Sequence, residues 1–173
     1  MRKKGFSLIE IIIVLAIIGI ILVASYPSIL NTLETRSLEG TARDILTTLE
    51  TARYLAVNEK IPYRVRFYQQ EKLWRYVIEK QVRDPDKLDV TWVQVPKFLP
   101  RTLPPKFNPQ LKLPEDQTIL FSPLGMIENY NFDSPQNHEI ILQSSKLKSY
   151  NQEDIRIVRF YAGGSIGYVK AKS

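Results

Sequence analysis

One carboxylate stands where a carboxylate is costly. Glu10 interrupts an apolar run that extends from Phe6 to Tyr26. An acid at the centre of a membrane-inserted helix is penalised by up to roughly 3 kcal/mol, so such a group is by default tied to function. Just ahead of it lie Arg2, Lys3 and Lys4, then the junction Gly5-Phe6. Elsewhere the residues able to do chemistry are few. The chain has no cysteine and a single histidine, His138, which excludes disulfides and thiolate metal sites. His138 has no Asp or Ser partner in motif spacing and reads as an idle loop residue. No Gly-rich phosphate loop, paired-carboxylate signature or His metal cluster is present. Glu128, Asn129, Asn131 and Asp133 offer oxygen ligands, yet not in EF-hand spacing, and read as a solvated turn. Neither enzyme activity nor a cofactor or metal is expected.

Basic residues raise a different chemistry. Arg64, Arg66, Arg75 and Arg83 lie near aromatic residues, and Lys170 and Lys172 follow near the end. A basic, aromatic-laced surface can hold a DNA backbone, so Arg64, Arg66 and Arg75 are candidate nucleic-acid contacts. Arginine is also common on the solvent face of strands. The formal charge is +6, and Arg2, Lys3 and Lys4 account for three of it, leaving +3 on the remainder. That mild excess is a weak argument for nucleic acid.

The elements that position these residues begin with the N-terminal segment. Phe6 to Tyr26 is 21 residues, roughly 31 Å as a helix, enough to cross a bilayer's hydrocarbon core. Three readings compete: a secretory signal peptide cut near Val23-Ala24-Ser25, a plain transmembrane anchor, or a signal whose basic head alone is removed. The first two gain nothing from Glu10. The string KGFSLIEIIIVLAIIGIILVASYP resembles the class III signals of type IV pilins and type II secretion pseudopilins. It carries Gly5, Phe6, Ser7, Leu8 and Glu10 in the pattern's order, with Pro27 where pilin helices commonly kink. The resemblance implies cleavage by prepilin peptidase after Gly5 and N-methylation of Phe6. It also implies pairing of the freed amine with Glu10, either on a neighbouring subunit during assembly or within the same chain. An amine with a reference pKa near 8 is largely cationic at neutral pH and can neutralise the carboxylate. The basic head places the N-terminus in the cytoplasm and the rest beyond the inner membrane.

Past the membrane run, Leu38, Ala42, Ile45, Leu49, Ala52 and Ala56 recur at helical spacing, which predicts a helix lying on a sheet. Pro27 should bend the rod, and Pro62 ends it near Asn58 to Lys60. The stretch ARDILTTLETARYLAVNEKIPYRVRF resembles the exported helix and first strand of the minor GspH/FimT group, through Ala42-Arg43-Asp44, Ala52-Arg53, Ala56, Pro62 and Val65. The period then changes to two. Residues 63–68 and 74–79 read as a hairpin around Gln69-Gln70-Glu71-Lys72, with a third strand over 90–95. Six prolines between Pro96 and Pro114 predict an irregular loop. Strands resume at 118–121, 139–143, 155–161 and 166–170, with Gly163-Gly164 as a turn. Phe121-Ser122-Pro123-Leu124-Gly125 fits a turn of the same minor group, whose closing Gly-Arg is missing here.

The expected fold is α+β, a pilin-like lollipop in which a long N-terminal helix packs on a β-rich head of small antiparallel sheets. Its parts are a leader at 1–5, a membrane and filament-core helix at 6–26, an exported helix at 27–60, and a head at 61–173 containing the loop at 96–114. The resemblance implies a minor pseudopilin or minor pilin. Its partners would be prepilin peptidase, other pilins or pseudopilins, an inner-membrane assembly platform, and lipid before assembly. The alternatives are a DNA-binding minor pilin and a soluble periplasmic protein with an ordinary signal peptide.

Overall fold

The computed structural model describes residues 7–83, 90–114, 116–134 and 138–173. A single helix, α1 (Leu8–Glu59), dominates it. At 52 residues it is about 78 Å long. It is helical on both sides of Pro27 and across it. Lys60 stops it in the left-handed conformation (φ 55°, ψ 33°), and Pro62 keeps the chain extended into the first strand.

The helical stripe predicted for the second half of α1 is the buried face. Leu38, Ala42, Ile45, Leu49, Ala52 and Ala56 are all completely inaccessible. The alanines let strand backbones approach closely, and each buried Leu or Ile contributes about 1.5–3 kcal/mol. Two antiparallel sheets receive this face. Among the described residues, β1 (Tyr63–Gln70), β2 (Leu73–Arg83), β3 (Val90–Gln94), β4 (Arg101–Thr102) and β6 (Thr118–Phe121) form one, in the order β3-β2-β1-β6 with β4 also on β2. The other runs β5-β7-β8-β9, from β5 (Gln110–Lys112), β7 (Glu139–Gln143), β8 (Ile155–Phe160) and β9 (Ile166–Ala171). The shape is the expected α+β lollipop, a long helix with its second half laid across two small sheets.

Three local readings need correction. The first hairpin turns on Glu71-Lys72 alone, both left-handed (φ 53° and 64°), and β1 pairs with β2 out to Gln70↔Leu73. A two-residue turn with both φ positive matches strand twist, so the ladder continues where four turn residues were expected. The proline-rich segment is also more ordered than an irregular loop. Its Arg101-Thr102 and Gln110–Lys112 stretches escape proline and pair with β2 and β7 at sheet edges, where missing N–H donors are tolerated. A 3-10 turn, Pro105–Phe107, lies between them and buries Phe107. The segment is thus a strap from one sheet to the other around the lower part of α1. Finally, a short helix, α2 (Ser145–Ser149), follows β7. Ser144 caps it by accepting the Leu147 N–H at 3.4 Å, and Leu147 is fully buried.

Candidate functional site

Among the described residues the first half of α1 has no partner inside the chain. Leu8 is 77% exposed and Val23 76%, and the large apolar residues between them are exposed as well. Burial starts only where the head begins, with Leu30 and Asn31 half-buried and Leu38 complete. The described part of this run is long and apolar enough to cross a membrane. Below the head, Ile29 and Leu33 are each 55% exposed, one helical turn apart on one face.

Glu10 sits in the first turn of this bare segment. Ser7 and Glu10 occupy the N-cap and third positions, the Ser-x-x-Glu spelling of a capping box. The box is not closed, because the Ser7 side chain makes no capping bond. The Ser7 carbonyl instead accepts the Glu10 N–H at 3.0 Å and the Ile11 N–H at 3.3 Å. Among the described residues no hydrogen bond or ion pair engages the Glu10 carboxylate. It stands in the first turn, at the positive end of the helix dipole. Gly5 and Phe6, the expected cleavage and methylation positions, lie outside the described residues. Chemically, this arrangement is an apolar rod end carrying one uncommitted anion.

The arginines singled out for nucleic acid share one face of the first sheet, but they are not a free basic patch. Arg64 pairs with Glu79 Oε2 and Arg66 with Oε1, each through Nε at 2.7 Å. Glu79 is 5% exposed. The Arg64 guanidinium lies 4.4 Å from the centroid of the Trp92 ring, and that of Arg66 lies 4.7 Å from Tyr68. The aromatic rings nearest these arginines therefore already carry guanidiniums, which leaves poor platforms for stacked bases. Arg75 stands opposite Tyr68 and is half-buried. Lys170 is also engaged, 3.2 Å from Glu39, which Arg43 meets at 3.1 Å. Hydrogen bonds from Arg43 and Lys170 hold the Glu39 carboxyl below the usual carboxylate range. Glu79 was missed from sequence, although a two-residue turn fixes the register that puts it opposite Arg64.

His138 is not an idle loop residue. It is fully buried, stacked on Tyr130 with centroids 3.8 Å apart and set edge-on to Phe160 at 5.4 Å. Its Nε2 accepts the Asn131 N–H at 3.1 Å. Within the acidic and amide cluster the two asparagines serve the backbone, Asn131 Oδ1 accepting the Asp133 N–H at 2.9 Å. Asn129 donates to the Thr118 carbonyl at 2.8 Å and accepts the Leu120 N–H at 3.0 Å, so it caps the outer edge of β6. Among the described residues no group of acids and histidines is placed to hold a metal ion.

A second junction brings three sequence motifs together at the far end of α1. Arg53 donates from Nε to the Gly125 carbonyl at 3.1 Å. Gly125 (φ +76°) and Gly164 (φ +80°) are in backbone contact, and a Cβ on Gly164 would stand 1.8 Å from the Gly125 oxygen. The helix, the turn after β6 and the β8–β9 turn therefore meet at glycines that no other residue can replace without strain.

A family model described as the prokaryotic N-terminal methylation motif matches residues 1–26. No curated protein and no solved structure matches the chain. The motif match supports a type IV pilin-like, membrane-anchored chain that is processed by prepilin peptidase and assembles with other pilins.

Proposed function

We propose, taking a processed pilin-like chain as the premise, that this protein is a minor structural subunit of a type II secretion pseudopilus or a type IV pilus, of the GspH/FimT kind. The observation that carries the reading is the division of α1. One half is fully committed to the head, while the other exposes an apolar surface with a single acid at its start. A surface of that size is stable in lipid or against other helices, and not in water. The subunit waits in the inner membrane with its head outside, then joins the filament through the bare half of α1. Peptidase removal of residues 1–5 supplies a cationic amine on Phe6, and Glu10 of a neighbouring subunit neutralises it.

Two measurements test this. Mass spectrometry of the mature protein is expected to find N-methyl-Phe6, and a start near Tyr26 would refute the reading. Glu10→Ala is expected to leave cleavage intact while incorporation into filaments falls sharply. Normal uptake of that variant would remove the pairing role.

A further inference from the structure

We infer that the base of the head is a docking surface for the anionic headgroups of the membrane that anchors α1, and that α2 is its main contact. The inference rests on the anchored reading above, since that reading fixes the height of the head. From Tyr26, the end of the apolar run, to Glu34 is eight residues, about 12 Å along the helix axis. A headgroup layer takes up about 5–7 Å of that. The gap left is shorter than the Debye length of about 8 Å at physiological salt.

Several elements meet α1 at this level. Ser144, the cap of α2, donates to Glu34 Oε1 at 3.1 Å. Lys106 reaches Glu34 Oε2 at 3.5 Å and the Ser37 hydroxyl at 3.1 Å. Glu34 is thus neutralised from within the head. Asp154, whose carbonyl accepts the Ser144 N–H at 2.9 Å, is fully buried. Its carboxylate binds the Gln143 amide at 2.8 Å and the Ser173 N–H at 2.9 Å. The acids closest to the base are therefore shielded.

The cations are not. Leu147 of α2 is buried and turns Lys146 and Lys148, on either side of it, outward. Arg36 on α1 and Lys172, beside the residue bound to Asp154, are exposed at the same level. Lys72 lies near Pro105 and Asn108 of the strap. Among the described residues at this level Glu71, Asp116 and Glu153 are the exposed acids, against Arg36, Lys72, Lys146, Lys148 and Lys172, so cations prevail toward the membrane. Tyr150, just after α2, is 48% exposed, and tyrosine is enriched at the level of lipid headgroups. Two lysines on a short capped helix and a tyrosine just after it, held at this height by α1, fit an anionic bilayer. Acidic partner proteins would meet the same charges without needing that height.

The test uses the full chain with Ser145→Cys, whose thiol would be the sole one, labelled with a fluorophore. It is reconstituted in vesicles of phosphatidylcholine, or of equal parts phosphatidylcholine and phosphatidylglycerol, with headgroup spin-labelled lipid as quencher. Quenching is expected in the mixed vesicles alone and should be reversed by high salt. Lys146→Glu/Lys148→Glu should lower the ratio of docked to undocked heads about thirtyfold or more, while Lys97→Glu, higher on the head beside Thr47 and Thr51, should not. Equal quenching in both lipids, or none in either, overturns the inference and leaves the anchor reading intact. A chain that fails to float with vesicles refutes the anchor reading, and this inference with it.

Discussion

Gly163 and Gly164 are adjacent in one turn, and the structure assigns them opposite tolerances. In Gly164→Ala the new Cβ would lie 1.8 Å from the Gly125 carbonyl oxygen, 2.9 Å from its carbon and 3.0 Å from Arg53 Nε, on a backbone with φ +80°. Holding an L-residue in that left-handed region costs about 1–2 kcal/mol. The overlap is with backbone, so the turns after β6 and β8 must separate by more than an ångström (about 1.5 Å to reach ordinary contact). That motion strains the Arg53 bond to Gly125 at 3.1 Å and the Ile127 N–H bond to Ala162 at 2.9 Å, each worth about 1 kcal/mol net. Together these give about 3–4 kcal/mol, which for a domain of this size lowers the melting temperature by on the order of 10 °C. A Cβ on Gly163 meets nothing within 4 Å, and no positive φ constrains it. Gly163→Ala should therefore be neutral, or stabilise by up to about 1 kcal/mol through the unfolded chain. Thermal melts of the full chain in detergent, followed by near-ultraviolet circular dichroism, compare the two. Equal shifts, or a loss below about 2 °C for Gly164→Ala, would refute the junction as described.

Glu79→Ala leaves Arg64 and Arg66 facing each other without a counter-ion. Because the arginines keep 22% and 39% of their side chains exposed, the expected cost in urea unfolding is about 1–3 kcal/mol, below that of a fully buried pair. A loss under about 0.5 kcal/mol would mean the network is decorative. Leu49→Ala, on the buried stripe, should cost about 2–5 kcal/mol, whereas Tyr54→Ala, 65% exposed on the same helix, should stay within about 0.5 kcal/mol; similar values would show that the stripe is misplaced. Asp154 supplies a pH dependence. Burial raises its pKa, but bonds from Gln143 and Ser173 more than offset this and hold the carboxyl below its ordinary value. A folded value below the unfolded one means the stabilisation is complete above about pH 4 and is lost as pH falls through the folded value. Wild-type melting should fall across that acid range with a component missing from Asp154→Asn, and parallel curves would remove the assignment.

Much of this was legible because short-range rules governed it. The stripe from Leu38 to Ala56 has one spacing and one burial outcome, and the strands over 118–121 and 139–143 have clean boundaries. The same rules failed where tertiary partners decide. Nothing local makes Arg101-Thr102 a strand; the open edge of β2 does. His138 reads as a loop residue until Tyr130 and Phe160 close on it. The arginine face read as a candidate polyanion site because the sequence sets Arg64, Arg66 and Arg75 near aromatic residues. The register of a tight hairpin adds the one buried glutamate that engages Arg64 and Arg66. Arg53, Gly125 and Gly164 lie in separate motifs, and only the packing of both sheets on one helix brings them together.

The bare half of α1 poses a question that apolar area cannot answer. Lipid tails are as apolar as leucine, so moving the run from Leu8 to Val23 out of a bilayer and onto neighbouring helices changes little in hydrophobic terms. Some other term must favour the filament. Glu10 is suited to supply it, because its carboxylate is penalised in hydrocarbon and uncommitted within the described chain. On the proposed reading, a neighbour's Phe6 amine removes that penalty only in one axial register. The same residue would then favour departure from the membrane and select the depth of docking. A lysine or an amide at position 10 would keep the polarity and lose the complementarity. Glu10→Gln should therefore insert as well as wild type, yet assemble as poorly as Glu10→Ala. If Glu10→Gln assembled normally while Glu10→Ala did not, hydrogen bonding rather than charge would set the register.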